Sequence, residues 1–573
     1  MAKRNKVVDP VDELVRLSRR IGEDLDLVQP GGGNTSVKIG DTLVIKGSGT
    51  DLRTIGRDGF TELDRPMLGR LQAQRAMSDE DMMRFMRRCM IRPGEQPLPS
   101  VETPLHSVLP FRFVVHTHDV ASLAVTDRDD AARQVKRIWG DDVLMLEYIR
   151  PGFPLARQLM DRTLPPRVRG LALEKHGFIA WGDTAEECWK NLKELLGRAP
   201  APAKLRAPAK PVSVVPLLPM LRGSLSQPKR VILHFDPDLS GEASDPKTLE
   251  RASRGVATPE HVLRAGVKPM VVKPGSDESI IRQVEKFREE YLRYHRKFAG
   301  DAIPDFVKTV LIPGAGVATV FKDKAGAMTA NACYRAVLKV MRTAGDRFRF
   351  LDEARAHEVE YWSLERRKVE EGTKNEKPLD RHIAVVIGAG SGIGRAAAEK
   401  LVAAGAHVVW ADLKAPEVSG PRSCPAAADV RDEQSLRSLF DRTVLEYGGL
   451  DILFYSPGIP PELQTIDRMS MGEIDRQMDV HFRGAVLATR LASEIMIRQR
   501  LGGRLIYNVS KAAFVPGEGA SAYGASKAAL AHFVRNAANE LGRYQITANY
   551  VNPDTIDTPL FRTLAEQRAK SSG

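Results

Sequence analysis

Three histidines and one carboxylate carry the first chemistry that this sequence suggests. Residues 113–118 read FVVHTH. On a β-strand, side chains at i and i+2 face the same side, so His116 and His118 converge on one point. Two neutral imidazoles on one face are the start of a site for Zn²⁺ or another divalent metal. In an enzyme such a site takes three protein ligands and keeps a position open. His176 is the third candidate. In GLALEKHGFIAWG it follows an apolar run and precedes a glycine, a turn from which a side chain can reach into a cleft. Glu102 (PSVETPLH) is the nearest carboxylate on the N-terminal side of the pair. His106, one helical turn beyond it, reads as a packing residue or a partner behind the ligands rather than as a ligand. Upstream, residues 30–38 (PGGGNTSVK) and 45–52 (IKGSGTDL) form two glycine-bearing loops. Their backbone N–H groups can close around an anion, and Asn, Ser and Thr side chains add donors.

A second chemistry lies near the other end of the chain. Residues 384–394 read AVVIGAGSGIG, an apolar run into Gly388, Gly392 and Gly394, with Ser391 and Ile393 among them, and then a helix. This spacing lets a backbone turn approach a pyrophosphate at a helix N-terminus. Asp412 closes VVWADL about 20 residues on, where a carboxylate can bond a ribose 2′-OH and repel a 2′-phosphate, so NAD is expected over NADP. Asp429 and Val430 stand where an acidic side chain can meet the adenine. Tyr523 and Lys527 are four apart on a helix and share a face, so the ammonium can lower the phenol pKa and bond the ribose. Ser510 lies 13 residues before the tyrosine and can hold a carbonyl oxygen. Tyr523 would then be the acid/base of a hydride transfer whose chemistry the nicotinamide supplies.

The elements that must position these groups follow from periodicity. The N-terminal part mixes short strands (42–45, 113–117) with helical stretches such as 11–21 and reads as α/β. The C-terminal part alternates strand (383–387), helix (393–404) and strand (407–410), the pattern of βαβ crossovers and a doubly wound parallel sheet. Residues 197–211 (GRAPAPAKLRAPAKP) have no hydrophobic periodicity and suit an extended connector. Residues 368–380 (KVEEGTKNEKPLD) are charged and end just before an apolar run. The expected organisation is a metal domain (10–196), a linker (197–211), a middle α/β or α+β domain (212–367), a linker (368–380) and a dinucleotide domain (381–573). The middle holds no cluster of ligands or nucleophiles. Its fragments at 255–269 (GVATPEHVLRAGVKP), 311–316 (LIPGAG) and 358–369 (EVEYWSLERRKV) read as loops and packing surfaces.

Composition bounds the rest. With 573 residues, 43% hydrophobic and 28% charged, the chain is globular and too long for one core. Its net charge of +12 is spread along the chain rather than gathered with aromatics, which argues against nucleic acid and for anionic small molecules. Cys89, Cys188, Cys333 and Cys424 have no paired spacing, so a reducing compartment is expected and a disulfide framework is not. The N-terminus lacks the apolar stretch of a signal peptide. No apolar run approaches the ~20 residues of a membrane span. The expectation is a cytoplasmic enzyme, a homo-oligomer without a membrane partner.

The N-terminal motifs together resemble the class II aldolase/adducin family, whose members carry a GGN-[TS]-S loop, an S-G-[TG] loop, an acidic residue, HxH and a later HG. The resemblance implies a zinc-dependent retro-aldol cleavage of a ketose 1-phosphate. By motif match, His116, His118 and His176 hold the metal, Glu102 is the general base, and Asn34, Ser48, Gly49 and Ser100 grip the phosphate. Such a metal acts as a Lewis acid on the substrate oxygens while the carboxylate moves a proton. From about residue 381 the chain resembles the short-chain dehydrogenase/reductase family, with Tyr523, Lys527 and Ser510 as its catalytic trio. It departs from that family at Ile387 (usually threonine), at Tyr455-Ser456-Pro457-Gly458 (commonly NNAG), at His481 (an asparagine of the proton relay) and at Asn552-Pro553-Asp554 (commonly NPG). The chain also ends about 20 residues after that last loop, so the usual C-terminal end of the fold is not expected.

The whole resembles bifunctional rhamnulose-1-phosphate aldolase/alcohol dehydrogenases. That implies dihydroxyacetone phosphate and an aldehyde as products, with the dehydrogenase acting on the aldehyde. Three alternatives stay open: an impaired, NAD-sensing dehydrogenase domain, a sugar-phosphate epimerase or dehydratase on the same scaffold, and a non-catalytic adducin-like module.

Overall fold

The computed structural model describes residues 9–209, 212–299, 307–364 and 376–571. The end of the 197–211 connector, much of the 368–380 connector and the end of the 358–369 fragment lie outside these residues. Three sheets organise the described chain, one in each of the three parts expected above.

The first sheet has the order β3-β2-β1-β4-β7-β6-β5. Its strands are β1 (Asn34–Ile39), β2 (Thr42–Lys46), β3 (Phe60–Asp64), β4 (Phe113–Thr117), β5 (Val143–Leu146), β6 (Gly170–Leu173) and β7 (Gly177–Gly182). The helix Pro10–Gly22 covers one face. Asp9 caps it by accepting from the Val11 N–H, and Leu14, Leu17 and Ile21 fall on its buried stripe. Ser18 ties it to β1 through a 2.7 Å hydrogen bond with Thr35. Strand β4 is buried throughout and lies antiparallel between β1 and β7. That register sets Asn34 opposite His116 and Phe178 opposite Thr117, which draws the His176 turn beside the histidine pair.

The middle part carries a mixed sheet, β8 (Ile232–Asp236), β11 (Gly316–Phe321), β10 (Thr309–Ile312) and β9 (Met270–Val271), in that spatial order. Its long helix Lys324–Ala344 packs against the helix Val120–Thr126 of the first part, where Val120 and Leu123 share one apolar core with Val337, Leu338 and Met341. Residues 200–209 form neither helix nor strand, and they are not loose. Their N–H groups donate to Thr343 (from Ala203, 2.9 Å), Glu242 (from Arg206, 2.7 Å) and Ser240 (from Ala209, 3.0 Å).

The third sheet is fully parallel in the order β14 (Ser423–Ala427), β13 (His407–Asp412), β12 (Ile383–Ile387), β15 (Ile452–Tyr455), β16 (Gly503–Asn508), β17 (Ile546–Val551). This 3-2-1-4-5-6 arrangement is the doubly wound dinucleotide fold, with its ligand crevice at the carboxyl edge where β12 and β15 part. The middle part is joined to it by a fully buried ion pair. Arg222 reaches Asp451 at 2.7 Å and Gln499 at 3.1 Å, and Asp451 also accepts from the Ile383 N–H that opens β12. Among the described residues no helix is long and apolar enough to cross a membrane.

Candidate functional site

His116 and His118 emerge from the end of β4, and His176 from the turn between β6 and β7. All three are buried, at 0%, 6% and 4% exposure. One ring nitrogen from each lies within 4.8 Å of the others. The rings stand edge-on, with centroids 4.9 Å apart from His116 to either neighbour. His116 Nε2, both nitrogens of His118 and His176 Nδ1 are buried without a hydrogen-bond partner among the described residues. Buried polar atoms seldom stay unpaired, because each costs roughly 1–3 kcal/mol of lost solvation. A set of converging imidazoles, each with an unpaired ring nitrogen, therefore fits a divalent metal held by nitrogen.

Glu102 completes this cluster. Its Oε2 lies 2.7 Å from His116 Nδ1 and its Oε1 3.1 Å from His176 Nε2. The Asn34 side-chain amide donates to the same carboxylate, so Asn34, across the sheet from His116, orients it. Burial works against a charged Glu102, but the His116 and His176 imidazoles outweigh it and hold the carboxyl well below the usual range. Burial keeps His118 well below its ordinary value, with His116 and His176 reinforcing it. His106 stays outside the cluster. It is buried, hydrogen-bonded through Nδ1 to Ser36 at 2.8 Å, and burial pushes it down to about 3.

Of the phosphate residues inferred from the family, Ser48, Gly49 and Ser100 lie on two adjoining loops, whereas Asn34 opens β1 and its side-chain amide is taken up by Glu102 rather than left for a phosphate. A bridge between Gly47 and Pro99 sets Ser48 near Ser100. The Ser48 N–H donates to the Leu98 carbonyl, and Ser100 Oγ accepts from the Glu102 N–H at 3.3 Å. Gly49 is exposed, at φ +82°. Sequence reasoning missed Lys46. This residue is 4% exposed and donates to the Gly31 and Gly33 carbonyls at 3.0 and 3.1 Å, so it braces the glycine loop from within. Burial pushes its ammonium down to about 8. A lysine that ends a short apolar strand reads as solvated, and no local signal marks it as buried.

In the third part, a cleft of about 1220 Å³ brings together Gly388, Ser391, Gly392, Ile393, Gly394, Asp412, Asp429, Val430, Ser510, Tyr523 and Lys527. Gly388 has φ +83°, and a Cβ at Gly394 would lie 2.0 Å from the Gly388 carbonyl oxygen, so both positions require glycine. Asp412 accepts from the Gly390 N–H at 2.8 Å, which places its carboxylate on the turn itself. Asp429 is paired with Arg431 at 2.7 Å.

Tyr523 and Lys527 share a helix face as expected, with the Lys527 ammonium 5.8 Å from the tyrosine ring centre. The predicted lowering of the phenol is not what the structure shows. Burial raises Tyr523, and a hydrogen bond with Ser510 only partly offsets that. Lys527 is itself pushed down to about 7 by burial and donates to the Asn508 carbonyl at 3.0 Å. His481 sits in a π-helical turn and is fully buried. Its Nδ1 meets Ser526 Oγ at 2.9 Å and its Nε2 accepts from the Ile459 N–H at 3.3 Å. Both nitrogens are thus engaged by protein, so the imidazole has no free nitrogen to offer a relay water in place of the family's asparagine.

Comparison with known proteins covers all three parts. Residues 12–199 match the class II aldolase and adducin N-terminal domain, 213–369 the second domain of class II aldolases, and 382–569 the short chain dehydrogenases. Across an alignment of 606 positions the chain is 30% identical to the oxidoreductase YuxG of Bacillus subtilis, covering 95% of this chain and 86% of that protein. The C-terminal part is 34% identical to a (+)-cis,cis-nepetalactol synthase of Nepeta racemosa, over 33% of this chain and 73% of that enzyme. Among solved structures, the N-terminal class II aldolase domain of a conserved Thermoplasma acidophilum protein is 38% identical. That match covers 35% of this chain and 97% of the other, with a TM-score of 0.32.

Proposed function

The chain belongs to the family of the Bacillus subtilis oxidoreductase, a class II aldolase domain fused to an oxidoreductase domain of the short-chain dehydrogenase type, and from that premise we propose that it cleaves a ketose 1-phosphate, rhamnulose 1-phosphate or a close analogue, and passes the aldehyde product to NAD-dependent oxidoreduction. The observation that carries the reading is the buried convergence of His116, His118 and His176 around Glu102. These three histidines would hold the metal, Zn²⁺ by preference, which supplies Lewis-acid stabilisation of charge on the substrate oxygens. Glu102, oriented by Asn34 and His116, takes the proton from the substrate hydroxyl as the carbon–carbon bond opens and returns one to the leaving carbon. Asn34 fixes the carboxylate, while Ser48, Gly49 and Ser100 hold the phosphate.

In the C-terminal cleft the turn at Gly388, Ser391, Gly392, Ile393 and Gly394 would seat the pyrophosphate, Asp412 the ribose diol, and Asp429 and Val430 the adenine. NAD, when bound, supplies the hydride chemistry. Ser510 holds the carbonyl oxygen of the aldehyde, Tyr523 exchanges its proton, and Lys527 supports the ribose. A second reading, NAD sensing without turnover, is favoured by the engagement of both His481 nitrogens, which removes one support for the usual proton relay. The test is metal analysis of the purified chain, an NAD titration, and a screen of ketose 1-phosphates with zinc for aldehyde release and NADH change. Metal, NAD binding and both signals support the proposal. NAD binding with aldehyde release and no NADH change supports sensing.

A further inference from the structure

The middle part contains a fragment, 255–269, to which the sequence assigns no chemistry, and the fold brings it against the metal site. Thr258 caps the helix Pro259–Ala265 by accepting from the His261 N–H. His261 Nε2 meets Gln29 Oε1 at 3.0 Å, a contact between residues 232 apart, at 0% and 2% exposure. Gln29 donates its own amide to the Leu25 carbonyl at 2.8 Å, so its oxygen faces the histidine and the His261 proton sits on Nε2. This bond fastens the helix to the residue that opens the glycine loop.

One turn further on, Arg264 Nε donates to Glu260 Oε1 at 2.8 Å. This pair lies on the loop itself. A Cβ built on Gly31 would stand 3.2 Å from Arg264 Nη2 and 4.0 Å from Glu260 Oε1. A Cβ on the next residue, Gly32, would stand 3.1 Å from His118 Nδ1. Adjacent Cα atoms are about 3.8 Å apart, so the guanidinium and a histidine of the metal cluster flank neighbouring residues of one loop. Lys46 holds the Gly31 carbonyl, and Asp51 accepts from the Gly31 N–H at 3.2 Å, so Gly31 is held at both its backbone polar groups. The Arg264 side chain keeps 37% of its surface exposed, as a group that meets a dissolved ligand must.

We propose that residues 258–264 of the middle part form a wall of the aldolase site and that Arg264 binds the phosphate of the substrate. The proposal rests on the retro-aldol reading above, and it names a binding residue outside the aldolase N-terminal domain. A guanidinium presents two parallel N–H groups to a phosphate, geometry that a lysine lacks. Glu260 orients the fork, and the His261–Gln29 bond fixes its distance from the metal cluster.

The test compares full-length parent, Arg264→Ala, Arg264→Lys and Glu260→Gln with phosphorylated and unphosphorylated forms of one ketose. Binding of dihydroxyacetone phosphate and of dihydroxyacetone to the metal-free proteins is titrated calorimetrically alongside. Arg264→Ala should raise KM for the phosphorylated ketose and weaken dihydroxyacetone phosphate binding about 10- to 100-fold, the scale of a lost charge-assisted hydrogen bond. Metal content and kcat/KM for the unphosphorylated ketose should stay within about threefold, with Arg264→Lys recovering part of the loss and Glu260→Gln giving a smaller one. Equal loss with both ketoses, loss of metal, or unchanged or undetectable dihydroxyacetone phosphate binding would overturn the proposal. If dihydroxyacetone phosphate binding depends on Arg264 while no ketose phosphate is cleaved, the anion site stands and the retro-aldol reading falls.

Discussion

The two sites solve enclosure differently. His116, His118, His176 and Glu102 are all less than one-tenth exposed, drawn from the end of β4, the turn between β6 and β7 and the start of the helix Thr103–Val108, and the middle part packs against the residue that precedes the glycine loop beside them. The residues proposed to hold the dinucleotide line an open cleft at the carboxyl edge of one parallel sheet. A metal that stays for the life of the protein can be buried and held by side chains from distant segments. A cofactor that exchanges at every turnover needs backbone at a strand edge and a way out. The middle part serves both, because it reaches Gln29 through His261 and fastens the dehydrogenase sheet through Arg222.

That contrast can be broken by mutation, and the largest effects belong to the buried site. Replacing His116, His118 and His176 together by alanine should remove the bound metal and all carbon–carbon cleavage while NAD binding survives, measured by metal analysis and NAD titration. Metal retained in the triple variant would place the centre elsewhere. Glu102→Gln should keep the metal and the fold and cut cleavage by about 10²-fold or more, the scale of a lost general base. Activity within a few-fold of the parent would remove Glu102 from that role.

On the open side, Tyr523→Phe should lower aldehyde oxidoreduction about 10²-fold with NAD affinity nearly unchanged. Turnover equal to the parent would move the acid/base to another residue. Arg222→Ala leaves Asp451 charged and buried without its partner, and should destabilise the dehydrogenase part by about 3–5 kcal/mol in chemical unfolding. A change under about 1 kcal/mol would show that Arg230, 3.2 Å from the same carboxylate, suffices. The smallest expected effect is Asp412→Ala, which should weaken NAD about tenfold and relax discrimination against NADP. A parent that already prefers NADP would contradict the assignment.

The legible parts of the sequence were those in which chemistry is local. The i, i+2 pair at His116 and His118 at the end of a strand, the glycine turn at 388–394 between a strand and a helix, and the Tyr523–Lys527 spacing on one helix each occupy a few consecutive residues, and each stands in the structure where the local pattern sets it. The chain's parallel sheet followed from the strand–helix–strand alternation between residues 383 and 410. What the sequence hid was contact between distant segments. Nothing near residue 261 points to Gln29, because a capped helix with Glu-His reads as surface until the fold sets it on a loop 232 residues away. Lys46 was hidden because its burial depends on two carbonyls of another strand connection. His481 was visible as a departure, but its consequence depends on Ser526 and Ile459, which only the tertiary fold supplies.

The most direct test of two separate chemistries on one chain follows both products in a single sample. The parent, Glu102→Gln and Tyr523→Phe are each given zinc, NAD or NADH, and the ketose 1-phosphate selected by screening. Dihydroxyacetone phosphate and NADH are then recorded together. The account predicts both signals from the parent, neither from Glu102→Gln, and release of dihydroxyacetone phosphate without NADH change from Tyr523→Phe. Loss of dihydroxyacetone phosphate release in Tyr523→Phe, or an undiminished NADH change in Glu102→Gln, would contradict it.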